Sequence, residues 1–526
     1  MTVKSLSRGT HAHHHPGAFM LINDIIEFAA RKHPDRTALR FEEQVITFAG
    51  MRDRVRRAAN ALRGIAAPGD RVAVLSGNRP EYVDLYYGVP AAGMALTFLN
   101  HRLHPAEIAK LVDHAQASVL IVSGDFLEAI GAHRDAMPSV KAIVALDGGG
   151  DLDYRELVAA ASTEEPPRVD EDSLAWLVYT SGTTGTPKGV MLSHKNLLTG
   201  VISSVAHWDL PDDQVFLFCF PLCHVGGYVV LVNHLRSCTV GILRAYDNPT
   251  FLRLVKDWKV TNTGLAPTMI AFLLRHPGIE NEDLGTLRAI GYGASAIPAE
   301  VLRRGMEVLG CDFYQGMGMS ELGGNILHFG EAEHRRAAAG ETHLLAAAGR
   351  PMDLASLRIV DEDLNDVPQG ADGEMLVRGD QVMLGYWREP ELTADSFHDG
   401  WFRTGDVVRQ DEEGMVYIVD RLKDMIITGG ENVASREVEE ALYLHPSVQE
   451  AAVFGVPDPE WGEAVCAAVV VRQGEPEDAD SIIAAVRGRL GGYKVPKRVV
   501  FLAELPRNVA GKVLKRDLRT AQKEKA

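Results

Sequence analysis

Cysteine is scarce in this chain. There are five in 526 residues (Cys219, Cys223, Cys238, Cys311 and Cys466), an odd number at irregular spacing. That excludes a disulfide-stapled secreted scaffold and reads as buried thiols in a reducing compartment. Cys219 and Cys223 have no second pair at zinc-binding spacing, so a core role is favoured for them even though His224 follows directly. Positive charge is also short. Lys and Arg number 54 against 71 Asp and Glu, a formal net charge of −17. This excludes a broad non-specific nucleic-acid surface, which needs clustered cations, but leaves local anion-binding loops possible. No apolar run approaches the roughly 20 residues of a membrane-spanning helix, and Met1-Thr-Val-Lys4 offers no apolar signal core. The expected location is the cytoplasm, with no nucleic-acid partner. No repeat of solenoid period occurs.

What is present is the mix of a globular enzyme, 46% hydrophobic and 24% charged. The length predicts two or more domains. Residues 1–20, with His11, His13, His14 and His15, are expected to be a leader without fixed structure. Apolar spacing predicts helices over 21–32 and 51–62 and a helix over 81–92 that Pro90 kinks or ends. Short apolar runs at 71–75, 118–122, 140–146 and 215–220 predict buried strands. So do Thr263-Gly-Leu-Ala-Pro267 and Ala289-Ile-Gly-Tyr-Gly293, the first leading into a helix and the second into a glycine turn. Residues 147–172, acidic and containing Gly and Pro, read as a loop. The alternation predicts an α/β fold, a large N-terminal portion over 21–420 with mostly parallel sheets. Near 420 the pattern changes. Ser435 reads as the cap of a helix running to His445, followed by strands near 451–456 and 464–471, a helix at 480–490 and a basic tail. Residues 421–526 are expected to form a small α+β domain joined by a short hinge.

The densest chemistry lies at 179–189, Tyr-Thr-Ser-Gly-Thr-Thr-Gly-Thr-Pro-Lys-Gly. An apolar run at 174–178 precedes it and Val190-Met-Leu-Ser-His194 follows. Glycine permits close backbone approach, hydroxyls and successive N–H groups wrap an anion, and Lys188 adds a compact cation. The order of residues is not that of a Walker A loop, which ends in Gly-Lys-Ser/Thr. A Gly- and Thr-rich surface turn shares the composition. The combination of hydroxyls and lysine directly after a buried strand favours a cradle for polyphosphate.

This stretch resembles the AMP-binding signature of the adenylate-forming superfamily, which includes acyl- and aryl-CoA synthetases, luciferases and peptide-synthetase adenylation domains. The resemblance extends in family order from about Leu21 to the C-terminus. It implies a nucleotide contact for Thr180, Ser181, Gly182, Thr183, Thr184, Gly185 and Lys188. Gln315-Gly-Met-Gly-Met-Ser-Glu321 resembles the second nucleotide motif. There Gln315, Gly316, Met317, Gly318, Met319 and Ser320 would line nucleotide, and Glu321, with Thr184, would hold Mg²⁺. From the heptapeptide alone, a Ser-Glu helix cap is an equal reading. The family usually places an aromatic residue where Met317 stands, and a thioether covers a purine less specifically. Gly293 and Ala294 resemble the segment between acyl pocket and adenine.

Trp401-Phe-Arg-Thr-Gly-Asp406 resembles the ribose motif, with Asp406 as acceptor, and Arg421 resembles the arginine that reaches nucleotide near the hinge. Gly429 and Gly430 resemble the lid segment that approaches the thiol. His224, in Pro-Leu-Cys-His-Val-Gly-Gly227, resembles a histidine at the acyl-pocket mouth; a core histidine is the competing reading. In Pro506-Arg-Asn-Val-Ala-Gly-Lys512, Lys512 resembles the catalytic lysine, although by charge alone it is one more residue of a basic tail.

The resemblance implies an ATP- and coenzyme A-dependent acid–thiol ligase using Mg²⁺, whose small-molecule partner is a carboxylic acid. Gly226, Gly227 and the small residues 293–296 favour room for an elongated chain, so a medium- or long-chain fatty acid is expected. An aryl acid, or transfer of the acyl group to a carrier protein, is the alternative. A homodimer stays open.

Overall fold

The computed structural model describes residues 20–180, 187–293, 297, 299–429, 431–459, 461–507 and 513–523. Ser181, Gly182, Thr183, Thr184, Gly185, Ala294, Gly430 and Lys512 lie outside the described residues, as do residues 1–19. Among the described residues the strands form three sheets, of 14, 8 and 5 strands.

Two of these sheets carry the expected α/β pattern. In the eight-stranded sheet, Ala95–Phe98, Arg71–Leu75, Ala117–Val122 and Ala142–Ala145 run parallel, and Leu174–Thr180 joins them parallel to Ala95–Phe98. Lys188–Ser193 then returns antiparallel to Leu174–Thr180, with Thr180 facing Lys188. In the largest sheet, Val215–Phe218, Asn262–Leu265, Ala289–Gly293 and Asp312–Met319 are parallel neighbours. Continuous apolar runs suit these strands because helices cover both faces. Between the two sheets lies the main core, which includes fully buried Trp176, Tyr82, Tyr86, Phe98 and Phe218. Tyr86 packs on Trp176 and Phe98, with ring centroids 4.9 and 5.6 Å apart.

From Gly324 onward the largest sheet turns antiparallel. Gly324–Phe329, Ala347–Pro351, Val416–Arg421, Trp401–Gln410 and Gly373–Arg378 follow one another with alternating direction. The parallel expectation does not extend to this segment, where each neighbouring pair runs antiparallel. The five-stranded sheet draws every strand from residues beyond 425: Glu431–Val433, Ile426–Thr428, Gly462–Val471, Val448–Asp458 and Arg498–Phe501.

Two local expectations are corrected. Residues 147–172 are not all loop. Asp153 accepts hydrogen bonds from the N–H groups of Arg155 and Glu156 (2.7 and 3.2 Å) and starts the helix Tyr154–Ala160, anchored by buried Tyr154. Ser435 is not a cap but the first residue of the helix Ser435–Tyr443. Its N–H is satisfied from outside the helix by Asp420, at 2.5 Å.

Several histidines are locked in the core. His234 is fully buried between the Tyr87 hydroxyl (2.8 Å) and the Ala38 carbonyl (3.1 Å). Burial holds His234, His194 and His334 down to about 4. Their unfolded counterparts protonate below about 6.5, so the unfolded chain binds more protons and stability falls as pH drops from about 6.5 towards 4. Each such group carries on the order of 1–3 kcal/mol when the effect is fully developed. The thermal midpoint measured from pH 7 to 4.5 is expected to fall less steeply in His234→Gln than in the wild type. An unchanged slope would show that His234 is not buried neutral.

Candidate active site

The hairpin of Leu174–Thr180 and Lys188–Ser193 closes at the Thr180–Lys188 pair, the two strand ends that flank residues 181–187 in sequence. It is fixed from below by the next helix, His194–His207. Ser193 accepts from the Asn196 N–H (3.1 Å) while the Asn196 side chain accepts from the Ser193 N–H (2.9 Å), a reciprocal cap. Asn196 also donates to the carbonyls of Asp380 and Val382, at 2.7 and 2.8 Å.

Residues 381–387 form a strap that joins this hairpin to the second motif. The N–H groups of Leu384 and Trp387 donate to the carbonyls of Met191 (2.9 Å) and Gly189 (2.7 Å). The Met383 N–H donates to the Glu321 carbonyl, at 2.9 Å, and the buried Gln381 amide donates to the carbonyls of Leu322 and Asn325. At the centre of the strap stands Tyr386. Its hydroxyl donates to Glu321 Oε1 at 3.0 Å, and the Lys188 ammonium lies 5.2 Å from its ring centroid. Burial, and then the Glu321 charge, push the Tyr386 phenol well above its usual range, so it stays a donor. Lys188 and Glu321, 133 positions apart in sequence, are thereby brought to one aromatic ring.

Gln315 to Met319 form the end of the strand Asp312–Met319, and Ser320 opens the single turn Ser320–Leu322 that carries Glu321. The glycines here serve close packing. Gly293 pairs with Gly316, and a Cβ on Gly293 would lie 2.6 Å from the Gly316 carbonyl. A Cβ on Gly316 would overlap the Asn325 amide, and one on Gly318 the Gly324 carbonyl. Met317 and Met319 are half-buried against the main core.

Asp406 is buried, and Arg421 Nε holds its Oδ1 at 2.7 Å. The two residues face each other across neighbouring antiparallel strands, and Arg421 also donates to the Thr404 carbonyl at 3.2 Å. Gly429 occupies a tight turn at φ +60°, where its N–H donates to the Trp461 carbonyl at 2.7 Å. It belongs to the C-terminal sheet, in the turn after Ile426–Thr428.

His224 immediately precedes the turn Val225–Gly227, which leads into the helix Tyr228–Leu235. Burial first, then Arg102 and His101, lowers its imidazole to about 4, so it is neutral at pH 7. The room expected at Gly227 is not there. A Cβ on Gly227 would overlap the Tyr86 hydroxyl, whereas one on Gly226 would meet nothing within 4 Å. Aromatic rings also cover glycines elsewhere in the large domain. A Cβ on Gly264 would meet Phe220 at 3.1 Å, one on Gly291 the Tyr314 ring at 2.5 Å, and one on Gly324 the Tyr228 ring at 2.8 Å. Cys219 and Cys223 are buried thiols that burial raises to about 12.

Among the described residues no group of three or more His, Cys, Asp or Glu is placed to hold a metal ion. A single carboxylate beside an anion loop still fits Mg²⁺, which keeps water and substrate phosphate oxygens as most of its ligands. No helix among the described residues is long and apolar enough to cross a membrane.

Residues 26–387 match the family model described as AMP-binding enzyme, and residues 437–512 match AMP-binding enzyme C-terminal domain. A feruloyl-CoA synthase from Amycolatopsis is 39% identical over 495 residues, 93% of this chain and 96% of that protein. A medium/long-chain-fatty-acid–CoA ligase from Mycobacterium tuberculosis is 34% identical, covering 93% of this chain and 88% of its own. ATP-bound MatB from Rhodopseudomonas palustris superposes with a TM-score of 0.87 at 31% identity, over 96% of this chain and 99% of that one. Fold and relatives together define an adenylate-forming enzyme. The chain belongs to the AMP-binding enzyme family.

Tyr386, Gln381 and Asn196 were not visible as site residues in the sequence. Only Gly385, beside two aromatics, hints that the 381–387 segment is constrained. Tyr386→Phe keeps the ring under Lys188 and deletes the bond to Glu321. It is expected to lower the adenylation rate roughly tenfold, about 1.5 kcal/mol for one hydrogen bond to a charged group. Steady-state ATP–pyrophosphate exchange measures this, and an unchanged rate would show that the Tyr386–Glu321 contact plays no part.

Proposed function

We propose that this protein is an AMP-forming acid–CoA ligase whose acid carries an aromatic ring. The observation that carries the reaction class is the convergence of Lys188 and Glu321 on Tyr386 at the end of the glycine- and hydroxyl-rich hairpin. A carboxylate resists nucleophiles because of its own charge, and transfer to AMP gives it a good leaving group. In the first step a carboxylate oxygen attacks the α-phosphorus of ATP, and the bond to the bridging oxygen of pyrophosphate breaks. In the second the CoA thiol loses its proton and attacks the acyl carbon, and AMP leaves with the carboxyl oxygen it received.

Lys188 supplies positive charge where pyrophosphate departs, and Asp406, fixed by Arg421, is suited to accept from ribose hydroxyls. Lys512, carried by the C-terminal domain, neutralises charge at the α-phosphate. Glu321 and Thr184 would hold Mg²⁺, which would supply charge neutralisation at the phosphate oxygens. Positioning and charge stabilisation dominate such transfers. Residues 421–526 act as a lid that presents Lys512 for the first step and the Gly429–Gly430 segment for the second.

The aromatic acid is favoured by the feruloyl-CoA synthase relative, 39% identical over 93% of this chain. A fatty acid is the second reading, favoured by the open space at Gly226 and by the M. tuberculosis relative.

Pyrophosphate release across a panel of acids separates the two. Arylpropenoic and arylacetic acids are expected to exceed C8–C16 fatty acids by roughly tenfold or more in kcat/KM, the scale at which pocket contacts discriminate. The reverse order would replace the aromatic reading by the fatty one. Lys512→Ala is expected to cut adenylation by roughly two to three orders of magnitude, the scale of losing one preorganised charge donor, while thioester formation from supplied acyl-adenylate is largely spared. Equal loss in both steps would contradict a lid that changes faces.

A further inference from the structure

Lys515 begins the helix Lys515–Lys523, three positions after Lys512, and is mostly buried. Its ammonium donates to the Ser435 hydroxyl at 2.5 Å and pairs with Glu439 Oε1 at 2.8 Å. Ser435 is fully buried on the helix Ser435–Tyr443. Glu439, one turn further along, is also held by the Val453 N–H at 2.8 Å. Burial raises the Glu439 carboxyl, an effect that Lys515 opposes. The Ser435 N–H donates to Asp420 Oδ2, while Oδ1 of the same carboxylate takes the Arg421 N–H at 2.7 Å. Arg421 in turn grips Asp406. A second tie, Arg519 to Asp424 at 3.0 Å, fastens the same terminal helix to the hinge segment.

One continuous run of polar contacts therefore connects Asp406, Arg421, Asp420, Ser435 and Lys515. We propose that Lys515, through Ser435 and Glu439, is a positioning residue for adenylation. It fixes the start of the terminal helix against the helix that follows the hinge, and so sets where the preceding segment with Lys512 is anchored. This rests on the reading of Lys512 as the adenylation lysine. The Lys515 contacts to Ser435 and Glu439 lie wholly inside the C-terminal domain, so they persist in either lid position. Only the first half-reaction uses Lys512, so loss of the anchor affects that step selectively. A buried ion pair that merely stabilised the domain would affect both steps alike.

The test uses the full chain with Lys515→Met, Lys515→Arg and Ser435→Ala. ATP–pyrophosphate exchange with the preferred acid is measured separately from thioester formation with CoA and supplied acyl-adenylate. Lys515→Met is expected to lower kcat of exchange roughly 10- to 100-fold, the range for misplacing a catalytic group by about an ångström. Its KM for ATP should be little changed and its thioester step near wild type. Lys515→Arg should restore most of the exchange, and Ser435→Ala, which leaves the Glu439 pair in place, should give a smaller selective loss.

Equal loss in both half-reactions, or no loss, overturns the inference. If Lys515→Met does not fold, Ser435→Ala at an unchanged thermal midpoint decides. Selective loss of exchange in that variant supports the proposal, and wild-type behaviour overturns it. The wild type keeps the two readings apart, because absence of exchange with every acid would overturn the proposed ligase activity itself.

Discussion

A single tyrosine ring ties the Lys188 hairpin to the Glu321 turn. Tyr386 stands between the ammonium of Lys188, on a strand of the eight-stranded sheet, and the carboxylate of Glu321, on a turn between two strands of the largest sheet. Its strand, Gly385–Tyr386, is only two residues long, yet it hydrogen-bonds to the hairpin on one side while Met383 bonds to the Glu321 turn on the other. Backbone bonds of this kind leave little freedom, so the lysine and the carboxylate are held in place before any ligand arrives. Preorganised charge of this type costs no rearrangement when the reacting phosphate develops charge.

The remainder of the site is built by removing side chains as much as by adding them. Gly293, Gly316 and Gly318 let strand backbones and the Asn325 amide come closer than any Cβ would permit. At other glycines aromatic rings take up the space that a side chain would need. Tyr86 occupies the side of Gly227 and Tyr314 covers Gly291. A glycine in a sequence therefore does not by itself mark an open channel. The same residue type that suggests room for a chain here marks the approach of a large neighbour.

Much of this was legible in the sequence for physical reasons. Buried parallel strands leave continuous apolar runs, so Arg71–Leu75 and Leu174–Thr180 stand out. The phosphate-type stretch is contiguous, and its flanking strands pair as a hairpin. The strap was not legible, because a two-residue strand has no periodicity and its partners lie far off in sequence, Gly385 against Met191 and Tyr386 against Val190. The helix Tyr154–Ala160 was hidden by acidic and glycine-rich surroundings, and its start depends on one side chain, Asp153. The cap of Ser435–Tyr443 comes from Asp420, a residue outside the local window. Acid identity depends on which rings meet across strands, which no spacing rule exposes.

The proposed chemistry requires the nucleotide to bind between the Thr180–Lys188 hairpin end and Asp406. A crystal structure of the protein with a non-hydrolysable acyl-adenylate analogue measures this directly. The account predicts the ribose at Asp406 and the phosphate-mimicking group on the side of Lys188 and Glu321. An analogue bound elsewhere, with Asp406 and Lys188 both untouched, would contradict it.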